Sequence, residues 1–179
     1  MSKSVSTIRA ALSATTPEAP LTPQRQQVVN DVLELFSSRP SLEIFKRSFR
    51  PEGEFEDPLS KCIGYEQFGA QWFGMPKVFP VSRNLSHRIL SSTTNPNRIE
   101  YVQAQEYTFR WIGNKKIMYS LVMIDLDEND KVLKLEDKWD GNDQPTRYGA
   151  YSLRRLNAKC VPWLVSVPKD DEYPGHHQV

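Results

Sequence analysis

Near Leu85 the hydrophobic period of the chain changes from 3.6 residues to 2, and the shorter period then holds as far as Asp140. Before the change, Val28, Val29, Val32, Leu33 and Phe36 recur at helical spacing. After it, Leu85, His87 and Ile89 alternate with Ser86, Arg88 and Leu90. A helix repeats every 3.6 residues and a strand every 2, so a chain that switches once folds helices first and strands second. Separate runs of helix and strand predict an α+β fold, with helices packed on one face of a curved, mainly antiparallel sheet. The missing strand–helix–strand alternation excludes a dinucleotide-binding fold.

Local signals place the boundaries. Thr22 is an N-cap residue type, and Pro23 suits the first helical position, where the N–H it lacks would be unpaired anyway. Arg39-Pro40 stops that helix, and Ser41 caps a second one carrying Leu42, Phe45 and Phe49, which ends at Pro51-Glu52-Gly53. An extended piece over residues 54–57 runs into Pro58, and a third helix fits residues 65–73 with Phe68 and Trp72 on one face. Strands follow over residues 99–111, 116–126 and 131–140, joined by Gly113-Asn114 and by the acidic turn at residues 127–130.

Composition limits the partners. Lysine and arginine number 23 against 22 acidic residues, a net charge of +1, so no global basic field favours nucleic acid. The longest unbroken apolar stretch, Leu121-Val122-Met123-Ile124, is far short of the ~20 residues of a membrane-spanning helix, so no membrane partner is expected. Cys62 and Cys160 make no disulfide framework and suit a reducing, cytoplasmic setting. Residues 1–22 are rich in Ser, Thr, Ala and Pro without an apolar period and read as a disordered tail. Lys3 and Arg9, with no acid before Glu18, give a weaker mitochondrial reading. Residues 23–141 form the predicted domain, and residues 142–179 an extension that packs on it and ends in disorder.

Several pieces then fall in register: Phe55-Glu56-Asp57-Pro58 before the Gly64-led helix Gly64-Tyr65-Glu66-Gln67-Phe68, Trp111-Ile112-Gly113-Asn114 as a central hairpin, and residues 126–132 leading to Trp139. Their order resembles the NTF2-like superfamily, the cone-shaped fold of SnoaL-like polyketide cyclases, scytalone dehydratase and ketosteroid isomerase. Glu136-Asp137-Lys138-Trp139-Asp140-Gly141 and the stretch from Leu153 to Lys169 look like an uncharacterised, largely fungal branch of it. One fold hosts many activities, so this implies architecture before reaction.

The resemblance implies a cavity between the sheet and the helices, with Asp57 at the position of the isomerase's base. The same register points Gln105, Tyr107, Phe109 and Trp111 inward, with Ser120 and Val122 on the next strand and Leu135, Asp137 and Trp139 on the last. Asp57, His87, Asp137 and Tyr107 are the candidate catalytic residues; Trp72, Tyr101, Gln103, Gln105, Phe109, Ser120, Val122, Leu135 and Trp139 the candidate ligand contacts. The isomerase's oxyanion donors are matched by Val32 and Val122, which cannot donate, so its steroid reaction is not implied.

Each candidate also has a structural reading. Asp57 before Pro58 suits a strand-end carboxylate bound to nearby backbone N–H groups. His87 suits a hydrogen-bonded wall residue, and Asp137, inside a charged run, suits a strand end in solvent. The aromatic candidates fill space whatever the function. The acidic turn lacks the Gly and Glu of a calcium loop, and His176-His177 has no cysteine at zinc-site spacing, so no metal is expected. The resulting expectation is a SnoaL-like protein that binds a small apolar or polyketide-like molecule and performs isomerase, cyclase or dehydratase chemistry by proton transfer, without a cofactor. The alternative is a non-catalytic dimerisation module; either form is expected to be a homodimer built on the outer sheet face.

Overall fold

Both expected helix caps form: Thr22 Oγ1 accepts from the Arg25 backbone N–H at 3.3 Å, and Ser41 Oγ accepts from that of Ile44 at 3.3 Å. The computed structural model describes residues 5–147 and 149–173. Its elements are α1 (Val5–Leu12), α2 (Pro23–Phe36), α3 (Leu42–Ser48), β1 (Phe49–Glu56), β2 (Lys61–Ile63), α4 (Tyr65–Val78), β3 (Val81–Thr94), β4 (Asn97–Thr108), β5 (Lys115–Leu126), β6 (Val132–Trp139) and α5 (Ala150–Leu164).

The predicted α+β arrangement is present. Six strands form one mixed sheet in the order β2-β1-β6-β5-β4-β3, in which β3 to β6 are an antiparallel meander. Strand β1 lies parallel to β6, pairing Phe55 with Leu135. The sheet is open and less curled than expected, with ladder irregularities near Leu85 and Leu90. Against its inner face pack Val28, Val29, Val32 and Leu35 of α2, Phe45 of α3, and Phe68 and Trp72 of α4, all buried.

Phe49, expected in the second helix, starts β1 instead, because its backbone pairs with Val132 across the sheet. Strand β4 ends at Thr108, so Trp111 lies in the hairpin turn, 74% exposed, and does not point inward.

The N-terminal segment is the larger correction. Residues 5–12, expected to be disordered, form α1, which lays Ile8 on Val102 and Leu121 of the outer sheet face. Arg9 stacks over the Tyr119 ring at 4.6 Å. The following residues are fastened along edge strand β3. Arg88 Nη1 donates to the Ala14 carbonyl at 2.9 Å, and the Ile89 N–H donates to Glu18 Oε2 at 3.0 Å. Ile8, with Ala11 and Leu12 packed beside it, and an unpaired strand edge order a segment that composition alone marks as free.

The expected disordered end of the extension, with His176-His177, lies outside the described residues. No helix among the described residues is long and apolar enough to cross a membrane.

Candidate functional site

Asp57 follows the last residue of β1, and Pro58 behind it forces the chain to turn. The turn is held by the carboxylate: Asp57 Oδ1 accepts the backbone N–H groups of Leu59 at 2.8 Å and Ser60 at 2.6 Å. Both bonds fall on one oxygen. Oδ2 takes none among the described residues, so the structural role expected of a strand-end carboxylate leaves half of the group for chemistry.

The carboxylate borders a cavity of about 500 Å³ enclosed by α4, α5 and the ends of β1, β4, β5 and β6. This volume falls in the range of small-molecule sites, roughly 300–1,000 Å³. The walls are mainly apolar, with Phe36, Phe55, Trp72, Met75, Phe79 and Val161 among them. Trp72 meets Phe36 edge-on at 5.1 Å and Phe55 at 4.8 Å, closing one side. Into this lining come Asp57, Tyr107, Ser120, Asp137 and Trp139.

Asp137 reaches it by register. On β6 it sits opposite Val122, in the inward phase of the pleat, and is 4% exposed. Its Oδ2 accepts from Trp139 Nε1 at 2.8 Å; Oδ1 has no partner among the described residues.

Burial penalises the charged form of a carboxylate and raises its pKa. Burial pushes Asp57 up to about 6, against the two backbone N–H groups and Arg154, which favour the anion. Asp137 is pushed up to about 7, chiefly by burial and further by the charge of Asp57, while Ser120 and Trp139 favour its anion. Asp57 therefore ionises first, and its charge then opposes ionisation of Asp137. Near neutrality the pair holds one proton-accepting carboxylate and one proton-bearing acid. The Tyr107 phenol is raised by burial and stays protonated.

The neighbouring Glu56 behaves in the opposite way. Burial works to raise it, but bonds from Arg154, Lys134 and Lys61 overcome that and hold it at about 2. Arg154 belongs to α5, which is latched onto the Asp57 turn through three polar side chains. Arg154 Nη2 donates to Glu56 Oε1 at 2.8 Å, Arg155 Nη1 to the Lys61 carbonyl at 2.6 Å, and Asn157 Nδ2 to Ser60 Oγ at 2.7 Å.

Of the expected site residues, Asp57, Asp137, Tyr107, Trp72, Ser120 and Trp139 meet at the cavity. The others do not line it. His87 is exposed on edge strand β3, its Nδ1 3.1 Å from Asn84 Oδ1, because β3 is three strands away from β6. Gln105 fastens the sheet to the end of α2, donating from Nε2 to Ser82 Oγ at 2.7 Å and to the Phe36 carbonyl at 3.1 Å. Gln103 and Tyr101 lie buried beneath, and Val122 and Leu135 belong to the core. Phe109 packs on Phe79 at 5.0 Å outside the lining. Sequence reasoning missed the α5 contacts Asn157, Val161 and Leu164 and the α4 contacts Gln71 and Met75. The spacing of Arg154, Ala158, Val161 and Val165 marks a helix face, but that face starts with an arginine. Among the described residues no group of three or more His, Cys, Asp or Glu side chains is placed to hold a metal ion.

The architecture is that of solved NTF2-like structures. An NTF2-like protein from Anabaena variabilis superposes with a TM-score of 0.55 at 13% identity, over 69% of this chain and 95% of that one. An LEH-like epoxide hydrolase from M. tuberculosis gives 0.53 at 14% identity, over 80% and 99%. A SnoaL-like family protein from Agrobacterium tumefaciens gives 0.50 at 12% identity, over 67% and 100%. The chain has the NTF2-like fold. No protein-family model matches the sequence, and neither does any curated protein.

Proposed function

We propose that this is a SnoaL-like protein whose cavity binds a small, largely apolar molecule and moves protons on it without a cofactor. The observation that carries the reading is the Asp57–Asp137 pair, two carboxyl groups bordering one apolar cavity, both raised by burial from the ordinary carboxylate range toward neutrality. Asp57, the first to ionise, is the base; Asp137, which retains its proton longer, is the acid. A base takes a proton from carbon beside a carbonyl, or from water, as the acid protonates the oxygen opposite. In dehydration those transfers expel water; in isomerisation the base returns its proton to a second carbon; in cyclisation the deprotonated carbon closes onto the carbonyl carbon whose oxygen the acid protonates. In epoxide opening the deprotonated water bonds to carbon as the ring C–O bond breaks and the acid protonates the freed oxygen, and an epoxide hydrolase is among the proteins sharing the fold. Tyr107 orients the substrate as a neutral hydrogen-bond donor.

We place the protein in the cytoplasm, in keeping with two free cysteines. Assembly as a homodimer remains part of the proposal. Because α1 covers Val102 and Leu121, pairing through that patch of the outer face requires α1 to move.

Mass spectrometry of small molecules that co-purify with the full chain tests the reading. An apolar, oxygen-bearing molecule retained at about one per chain and recovered chemically changed from wild type but unchanged from Asp57→Asn supports it. A molecule that both proteins return unchanged leaves binding without catalysis, and an empty cavity in both overturns the reading.

A further inference from the structure

The cavity opens where apolar side chains stand in solvent. Leu164, at the end of α5, lines it and is nevertheless 78% exposed; Leu59 and Lys77 also line it and are exposed. Trp163, beside Leu164, is 82% exposed. Hydrogen bonds bring a second exposed pair to the same mouth. The Lys77 ammonium donates to the Leu164 carbonyl at 3.5 Å. Arg110 donates from Nε to the Lys77 carbonyl at 2.7 Å and from Nη2 to that of Pro76 at 2.9 Å. Arg110 begins the β4–β5 turn, whose next two residues, Trp111 and Ile112, are both exposed. The end of α4 therefore stands between the hairpin and the end of α5, and each of those two presents a tryptophan and an aliphatic neighbour to water.

Charge sorts with these side chains. Residues 67–80, 107–124 and 144–169, which include these three ends, hold nine lysines and arginines and no acidic residue, in a chain whose net charge is only +1. Arg154 and Lys115 are neutralised by Glu56 and Glu106. Lys77, Arg110, Lys116 and Lys159 are exposed and belong to no salt bridge among the described residues. Of the acids nearby, Asp143 is paired with Lys138, and Glu66 shares the small cleft beside Trp163 with Lys169, which leaves Asp140. Exposed apolar side chains on two elements, interspersed with unpaired cations, mark an interaction surface.

We propose that the cavity mouth docks on an anionic bilayer surface, through Trp111 and Ile112 of the hairpin and Trp163 and Leu164 of α5, with the four unpaired cations against the lipid phosphates. Tryptophan sits favourably at the headgroup level, aliphatic neighbours enter the acyl boundary, and each lysine or arginine is drawn to the negative surface. An acidic protein would satisfy the cations alone. The choice of a bilayer rests on the reading of the cavity as a site for an apolar molecule, which a bilayer holds at higher concentration than water and delivers at the mouth. The lack of a spanning helix does not oppose this, because a surface contact needs no span.

The test uses the full chain and vesicles of phosphatidylcholine with and without phosphatidylserine, read by co-sedimentation and by tryptophan quenching from lipids brominated along the acyl chain. The expected result is sedimentation with the phosphatidylserine vesicles only, weakened by added salt, and quenched tryptophan emission. Lys116→Gln and Lys159→Gln, both outside the cavity lining, should each weaken partition about fivefold, the effect of one cation near such a surface. Trp111→Ser combined with Trp163→Ser should abolish the quenching and most of the binding while the melting temperature holds, since both side chains stand in water. Absence of phosphatidylserine-dependent sedimentation overturns the docking surface. Binding that the double tryptophan variant retains in full is charge attraction alone; it overturns the bilayer in favour of an acidic protein partner. Vesicle binding needs no ligand in the cavity, so its failure leaves the small-molecule reading standing, and an empty cavity leaves vesicle binding standing.

Discussion

Arg154 donates a hydrogen bond from Nε to the backbone carbonyl of Asp57 at 2.9 Å, joining the C-terminal helix to the residue proposed as the base. The same guanidinium pairs with Glu56 at 2.8 Å, and Arg154 is 3% exposed. Removing one partner of a buried pair strands the other, at a typical cost of about 3–5 kcal/mol. Lys61 and Lys134 still neutralise Glu56, each at 3.1 Å, so Arg154→Met is expected at the lower end, about 3 kcal/mol in chemical denaturation. Because Arg154 favours the Asp57 anion, the variant also raises the Asp57 pKa, which carboxyl-resolved NMR titration reads directly. An unchanged Asp57 titration would detach α5 from the chemistry.

Turnover should follow a bell-shaped pH profile. The active form has Asp57 ionised and Asp137 protonated, and with values of about 6 and 7 its population peaks near pH 6.5. Asp57→Asn removes the limb that rises with pH and lowers the rate by ~10²–10⁴. Asp137→Asn removes the falling limb. A flat profile between pH 5 and 8, once the substrate is known, argues against both assignments.

Stability carries the opposite sign from that of an ordinary salt-bridged carboxylate. Asp137 binds its proton more tightly folded than unfolded, so it opposes folding progressively as pH rises from about 4 to about 7. The shift from 3.8 to about 7 corresponds to roughly 4 kcal/mol at most, at 1.36 kcal/mol per pKa unit. Thermal melts of Asp137→Asn and wild type should therefore diverge across that window, the variant gaining relative stability up to pH 7 and no more above it. Glu56 acts in reverse. Its contribution is present above about pH 4.5 and is lost as pH falls toward 2.

Elements whose signals are local were legible in the sequence. Thr22, Pro23 and Ser41 announce helix starts with their own side chains, whereas β4 is buried without a break from Tyr101 to Gln105 because both sheet faces are covered there. Phe49 reads as helical from local signals because at that residue β1 pairs only with β6, at Val132, 83 residues further along the chain. Helix α5 was obscured by its polarity. It turns Arg154 inward and leaves Leu153, Leu156, Trp163 and Leu164 exposed, the reverse of an ordinary amphipathic pattern. At the site, Asp57 stands where the resemblance to the isomerase puts its base, and Asp137 follows because strand register fixes which side chains face inward. His87 faces the same way, yet the cavity lies at the other side of the sheet; register gives the face and says nothing of the distance.

Helix α1 gives the last prediction. It lays Ile8, 1% exposed, over Val102 and Leu121, with Leu90 and Met123 packed beside them. The helix has eight residues, far fewer than an isolated helix needs for stability in water, so the sheet face holds it in place. Removing residues 1–13 uncovers that face in the middle of β4 and β5. An apolar sheet face without its cover buries itself against another copy. The truncated chain should therefore sediment as a dimer or larger species at concentrations where the full chain does so less, and Val102→Lys in the truncated chain should reverse the change. The cavity is on the opposite face, so ligand binding should survive truncation. Identical sedimentation of the full and truncated chains would mean that α1 shields no associating surface.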